Sequence, residues 1–148
     1  MKKFLITSFI FVLAAIITLF AYQIFKQSGG FQYISAKGVI LKVEIANTQE
    51  KQIKGLSGRK ALDKNEAMLF IFEKNGIYPF WMKGMLFPLD IIWLNQNKEI
   101  IFISESNQPC RDSFCQSINP GIEALYVLEV NADIARKLNL EKGDMLDF

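Results

Sequence analysis

The stretch Tyr78–Leu94, "YPFWMKGMLFPLDIIWL", holds both tryptophans and two of the four prolines. It carries only two charges, Lys83 and Asp90. Pro88 cannot donate to a ladder and pushes Phe87 toward an extended backbone, so it belongs at the start or edge of a strand. From there the side chains alternate. Leu89, Ile91 and Trp93 share one face, and Asp90, Ile92 and Leu94 share the other. Lys83 to Pro88 therefore reads as a turn that enters a core strand. Asp90 falls on an apolar face of that strand, where a carboxylate needs a cation or several N–H donors.

Working outward, "NQNK" (95–98) reads as a hairpin turn, and Glu99–Ser104 returns as a strand. Asn107–Gly121 is a loop rich in turn formers. Ala124–Val130 is a late strand. Asn131 is placed to cap a short helix, "ADIARKL", with Ile134 and Leu138 inward. Gly143-Asp144 leads into a last short strand. Upstream, Ala67–Phe72 is apolar on both faces, as in a strand covered on both sides. Asn75-Gly76 is a turn signal. Gly38–Ala46 alternates with the period of a half-buried strand. Asn47, with Glu50 three residues on, predicts a capping box that opens a short helix, with Ile53 and Leu56 toward the core. Gly55 and Gly58 end it, and Arg59 follows. Short strands, two short helices and no βαβ rhythm predict an α+β domain with a mostly antiparallel, curved or partly closed sheet.

Phe4–Phe25 is nearly all apolar and follows Lys2-Lys3. As a helix it would be roughly 33 Å long, enough to cross a hydrocarbon core. The reading is one N-terminal transmembrane helix, with the N-terminus inside and the domain outside. Secretion after signal cleavage is the alternative, with Ser28-Gly29-Gly30 supplying small residues for a cut. The expected organisation is an anchor over 1–26, a flexible tether over 27–37 and a globular β-rich domain over 38–148.

The 148 residues carry a net charge of +2. All 15 acids and only 13 of the 17 basic residues lie in 38–148, a net of −2 for the domain. It has no basic excess with which to neutralise phosphates, which argues against nucleic acid as a partner. There is no histidine, so the commonest neutral-pH base and zinc ligand is missing. The only cysteines are Cys110 and Cys115. A local structural disulfide, a redox pair and a thiolate metal site are the competing readings. The spacing is not C-x-x-C, and two thiolates fall short of the four ligands zinc normally takes, which favours the disulfide.

In order, several segments resemble one family, the domain of unknown function 192. They are "GLSGRKAL" (Gly55–Leu62), "AMLFIF" (Ala67–Phe72), "FWMKGMLFPLDIIWL" (Phe80–Leu94), the Pro109-Cys110 to Cys115 loop, "YVLEV" (Tyr126–Val130) and Gly143-Asp144. The family usually has Gly where this chain has Ala67, and Asn where it has Gly84. The resemblance implies a compact exported or membrane-tethered β-rich domain and brings no assigned reaction.

Arg59 and Lys83 are the candidate partners of Asp90, and Arg59 can make a bidentate pair. In one reading these residues form a buried or half-buried ion pair that fixes the turn around Gly84. In another, Lys83 and Arg59 are donors in an anion- or carbonyl-binding pocket walled by Trp81. In a third, Asp90 bonds only to backbone N–H groups. Arg59, Trp81, Lys83 and Asp90 are thus the ligand-binding candidates. No metal ligands, cofactor or catalytic residues are read from the sequence. The leading expectation is a non-enzymatic, membrane-anchored extracytoplasmic domain binding a small ligand or an envelope component. The alternative is a hydrolase-type enzyme using Asp90 and Lys83.

Overall fold

The computed structural model describes residues 13–19, 31–110 and 115–148. The chain divides into two units, Met1–Gly30 and Phe31–Phe148. In the first, residues 13–19 are helical (α1) and exposed. Among the described residues no helix is long and apolar enough to cross a membrane. A span needs about 20 residues, or about 30 Å, of apolar helix. This overturns the expected transmembrane helix, and with it the single-pass location and the membrane as a partner through residues 4–25. Residues 4–12 and 20–25 of that run lie outside the described residues.

The second unit is built on six strands: β1 (Phe31–Ala36), β2 (Val39–Ala46), β3 (Glu66–Gly76), β4 (Leu89–Leu94), β5 (Ile100–Asn107) and β6 (Ala124–Asn131). Two short helices join them, α2 (Gln49–Lys54) and α3 (Ile134–Lys137). The sheet order is β1-β2-β3-β6-β4-β5. β2 and β3 pair in parallel, and the other ladders are antiparallel. The expected mostly antiparallel, curved or partly closed sheet is instead mixed and open, with β1 and β5 as its edges. The parallel pair follows from the long return between Ala46 and Glu66, which carries α2 across the end of the sheet. Such a crossover needs a dozen or more residues.

β1 lies inside the stretch read as a tether. Its inward residues Ile34 and Ala36 are fully buried, while Phe31 and Tyr33 face outward. Lys37 and Gly38, at φ +47° and +84°, form the two-residue turn that sets it against β2.

The sheet is apolar on both faces. One face packs Leu41, Val43, Leu69, Ile92, Leu94, Leu128 and Val130 against Ala135, Leu140 and Leu146. The other packs Met68, Phe70, Leu89, Ile91, Trp93 and Val127 against Leu56, Met82 and Met85. β4 is buried along its whole length, as the opening stretch predicts. Each of its aliphatic side chains contributes roughly 2 kcal/mol by leaving water. Trp93 satisfies its indole N–H on the Tyr78 carbonyl at 2.8 Å.

Local details depart from the sequence reading at the helix ends. Thr48, not Asn47, caps α2, and its side chain accepts from the Lys51 N–H. Ile53 is 69% exposed and Leu56 carries the inward contact. Asn131 does not cap α3. It ends β6 and donates to the carbonyls of Leu62 and Asp63.

Candidate functional site

Asp90 is fully buried. Its Oδ1 accepts from the Ser106 N–H at 2.7 Å, and its Oδ2 accepts from the Ala135 N–H at 2.9 Å. The second contact meets the first turn of α3, whose own N-cap residue, Asp133, makes no side-chain cap bond. Asp90 therefore caps α3 from the neighbouring strand. Neither Arg59 nor Lys83 reaches it. In the ladder Asp90 stands opposite Val130, on the face packed by α3 and the C-terminal segment. An Asp90–Lys83 pair, on which the hydrolase reading rested, does not form.

The other face carries a cleft of about 490 Å³. Its walls come from two segments that resemble the family motifs. One is the end of α2 and the residues after it, Lys54–Ser57. The other is the turn around Trp81–Met85. Phe70 and Glu129 lie beneath them. The volume suits a small ligand, since such pockets run about 300–1,000 Å³.

The two walls are tied together. The Gly58 N–H donates to the Gly84 carbonyl at 2.9 Å. Gly84 is left-handed, at φ +71°, and a Cβ there would stand 2.2 Å from Ser57 Oγ. Asn, which the family usually has here, is the non-glycine residue that most readily adopts that backbone. The position thus serves the turn's geometry. Met82 and Met85 bury their side chains and anchor the turn. Cys110 donates its N–H to the Met82 carbonyl at 3.2 Å, and Phe80 bridges Ile118. Cys110 and Cys115 are joined in a disulfide, so the predicted bridge buttresses this wall.

Glu129 is the residue that sequence reasoning missed. It is 4% exposed, and its Oε2 is buried with no hydrogen-bond partner among the described residues. Burial is the main cause that pushes its carboxyl up to about 8, and the nearby Arg59 charge opposes it. Arg59 itself pairs with Glu44 at 2.5 Å. The ladders place Glu44, Met68, Glu129 and Ile91 in one row across β2, β3, β6 and β4. The signal was available in "YVLEV". Val127 and Glu129 alternate with the core residues Leu128 and Val130, so Glu129 is an acid on an apolar strand face, like Asp90.

Of the predicted set, Trp81 and Lys83 line the cleft, and Trp81 is 55% exposed. Arg59 stands behind the lining, engaged with Glu44. Asp90 is across the sheet. Among the described residues no group of His, Cys, Asp or Glu that could hold a metal ion comes together.

The comparisons with known proteins agree with this architecture. A protein of unknown function from Novosphingobium aromaticivorans DSM 12444 has a crystal structure similar to this chain, with TM-score 0.70 and 28% identity. The match covers 80% of this chain and 85% of that one. A protein from Sinorhizobium meliloti 1021, provisionally described as a transcription regulator, is similar with TM-score 0.72 and 28% identity. There the match covers 81% of this chain and 95% of that one. No curated protein matches. The family model of DUF192, described as "Uncharacterized ACR", matches residues 32–148. The chain therefore belongs to the domain of unknown function 192 family.

Proposed function

We propose that this domain binds a small, partly apolar ligand in the cleft above Glu129, without chemical turnover. The observation that carries the reading is the Glu129 carboxyl, buried at the cleft floor with Oε2 unpartnered. A buried polar group without a partner costs roughly 1–3 kcal/mol, and a ligand that meets it recovers that energy. Phe70, Phe72, Tyr78, Phe80 and Trp81 give the lining aromatic area, as in sites that hold a ligand by area and orient it by few polar groups. Among the described residues Glu129 is the single carboxyl in the lining, whereas glycoside hydrolysis needs two that face each other. The Cys110–Cys115 disulfide supports an oxidising compartment for the domain. The regulator description of the Sinorhizobium relative is not carried over, because residues 38–148 have a net charge of −2.

Chemical-shift mapping on the ¹⁵N-labelled chain tests the reading. A panel of small aromatic alcohols, acids and amines is titrated in turn. At least one compound should move the amides of Gly55, Ser57, Gly84 and Glu129 together. If no compound moves them at millimolar concentration, the cleft is not a binding site.

A further inference from the structure

Resting on that cleft reading, we propose that the ligand is a small organic acid bound as its anion. Its carboxylate accepts a hydrogen bond from the Glu129 carboxyl, and its apolar body lies against Phe70, Phe80 and Trp81. Charge and geometry carry this choice.

Among the described residues the charged groups lining the cleft are Lys54, Lys83 and Glu129. With Glu129 protonated, the lining is positive and complementary to an anion. Every element packed around Glu129 bears on its state. From β2 comes Glu44, already held by Arg59 at 2.5 Å. From the segment after α2 comes Arg59 itself, the one charge that acts noticeably on Glu129. From α2 comes Lys54, and from the facing turn comes Lys83. β3 and β4 offer Met68 and Ile91 in register, with no charge.

Desolvation dominates, so at neutral pH Glu129 carries its proton and is a donor. A carboxylate guest accepts that proton in a short, charge-assisted bond. A cationic guest would require Glu129 to ionise and would itself face two lysines. A neutral guest would leave the lysines unused. The anion binds only the protonated form of Glu129, so binding above the Glu129 pKa takes up one proton from solution.

Three probes of matched shape test the class on the full chain: benzoate, benzyl alcohol and benzylammonium. At pH 7 benzoate should bind about tenfold tighter than either of the others. Its affinity should be flat from about pH 5, where benzoate is ionised, to pH 8 and fall about tenfold per pH unit above it. Glu129→Gln keeps a donor but cannot titrate, so it should bind benzoate with no such fall. Lys83→Ala should weaken benzoate several-fold and benzyl alcohol by clearly less. Tighter binding of benzylammonium, with affinity rising with pH, would overturn the organic-acid assignment but keep the cleft. Equal binding of benzoate and benzyl alcohol would overturn it too. If none of the three shifts the cleft amides, the ligand-binding reading falls with it. The wild-type pH profile decides the matter even if a variant folds poorly.

Discussion

Gly55 packs beside Glu129 in the lining of the cleft. A methyl group on residue 55 would stand 3.9 Å from Glu129 Oε2 and 3.4 Å from the Phe70 ring. At φ +48° the backbone there is one that glycine adopts without strain. That bare backbone lets the chain after α2 approach Phe70 and Glu129 closely. Burial from all sides raises Glu129 to about 8.

The first prediction concerns stability and pH. The carboxyl is at 4.5 in its ordinary state and at about 8 in the fold. Below pH 4.5 it is protonated in both states and costs nothing. Between pH 4.5 and 8 the unfolded chain ionises and the fold does not, so stability falls as pH rises. The loss levels off above pH 8. The shift corresponds to about 5 kcal/mol across that window as an order of magnitude. Glu129→Gln should flatten this decline, so that the variant is more stable than the wild type at pH 8 and close to it at pH 4. Urea midpoints at the two pH values measure this, and a parallel pH dependence in both proteins would contradict it.

Asp90 gives the second. It holds two backbone N–H groups in a buried position, and hydrogen bonds to a charged group are worth about 1.5–3 kcal/mol each. Asp90→Ala should destabilise by roughly 3 kcal/mol or more and speed hydrogen exchange at Ser106 and Ala135. It should leave the cleft amides in place, since Asp90 lies on the opposite face. A loss of cleft structure with α3 intact would be the wrong pattern.

Gly84 and Ser57 make the third. Gly84→Ala forces a Cβ to within 2.2 Å of Ser57 Oγ, at a left-handed φ. The expected cost is about 1–3 kcal/mol. Adding Ser57→Ala removes the oxygen and leaves Cβ at 3.5 Å, so the double variant should regain part of the loss. Thermal denaturation of the four proteins reads the coupling, and strict additivity would argue that the two walls do not touch.

The disulfide supplies the fourth. It closes a short loop, so the loss on reduction is roughly 2 kcal/mol in the chain-entropy view. The effect should be local. Cys110 holds the Met82 carbonyl, so reduction should raise amide exchange at Cys110 and Met85 while β6 stays protected. Exchange that rises uniformly across the sheet would show that the bridge supports the whole domain instead.

Much of the sheet was legible because strand periodicity is local. The alternation after Pro88 placed β4 and put Asp90 on an apolar face, and both hold. The partner of Asp90 was not legible. Arg59 and Lys83 are recognisable as charges, but which face of the sheet they serve depends on where α2 and the 80–85 turn come to rest. The β2–β3 pairing was missed although the helix between them was predicted, because a single six-residue helix between two strands does not set up a βαβ rhythm. β1 was missed because Ser28-Gly29-Gly30 drew the tether onward over Ile34 and Ala36. Glu129 stood in plain view, but Ala124–Val130 was read only as a late strand, without asking which face its acid shares, as was asked of Asp90.

The most direct test is a pH titration of the ¹³C-labelled Glu129 side-chain carboxyl by NMR, with and without benzoate. A midpoint near 8 is expected in the free protein, rising when benzoate binds. A midpoint near the ordinary 4.5, or one that benzoate does not move, would contradict this expectation.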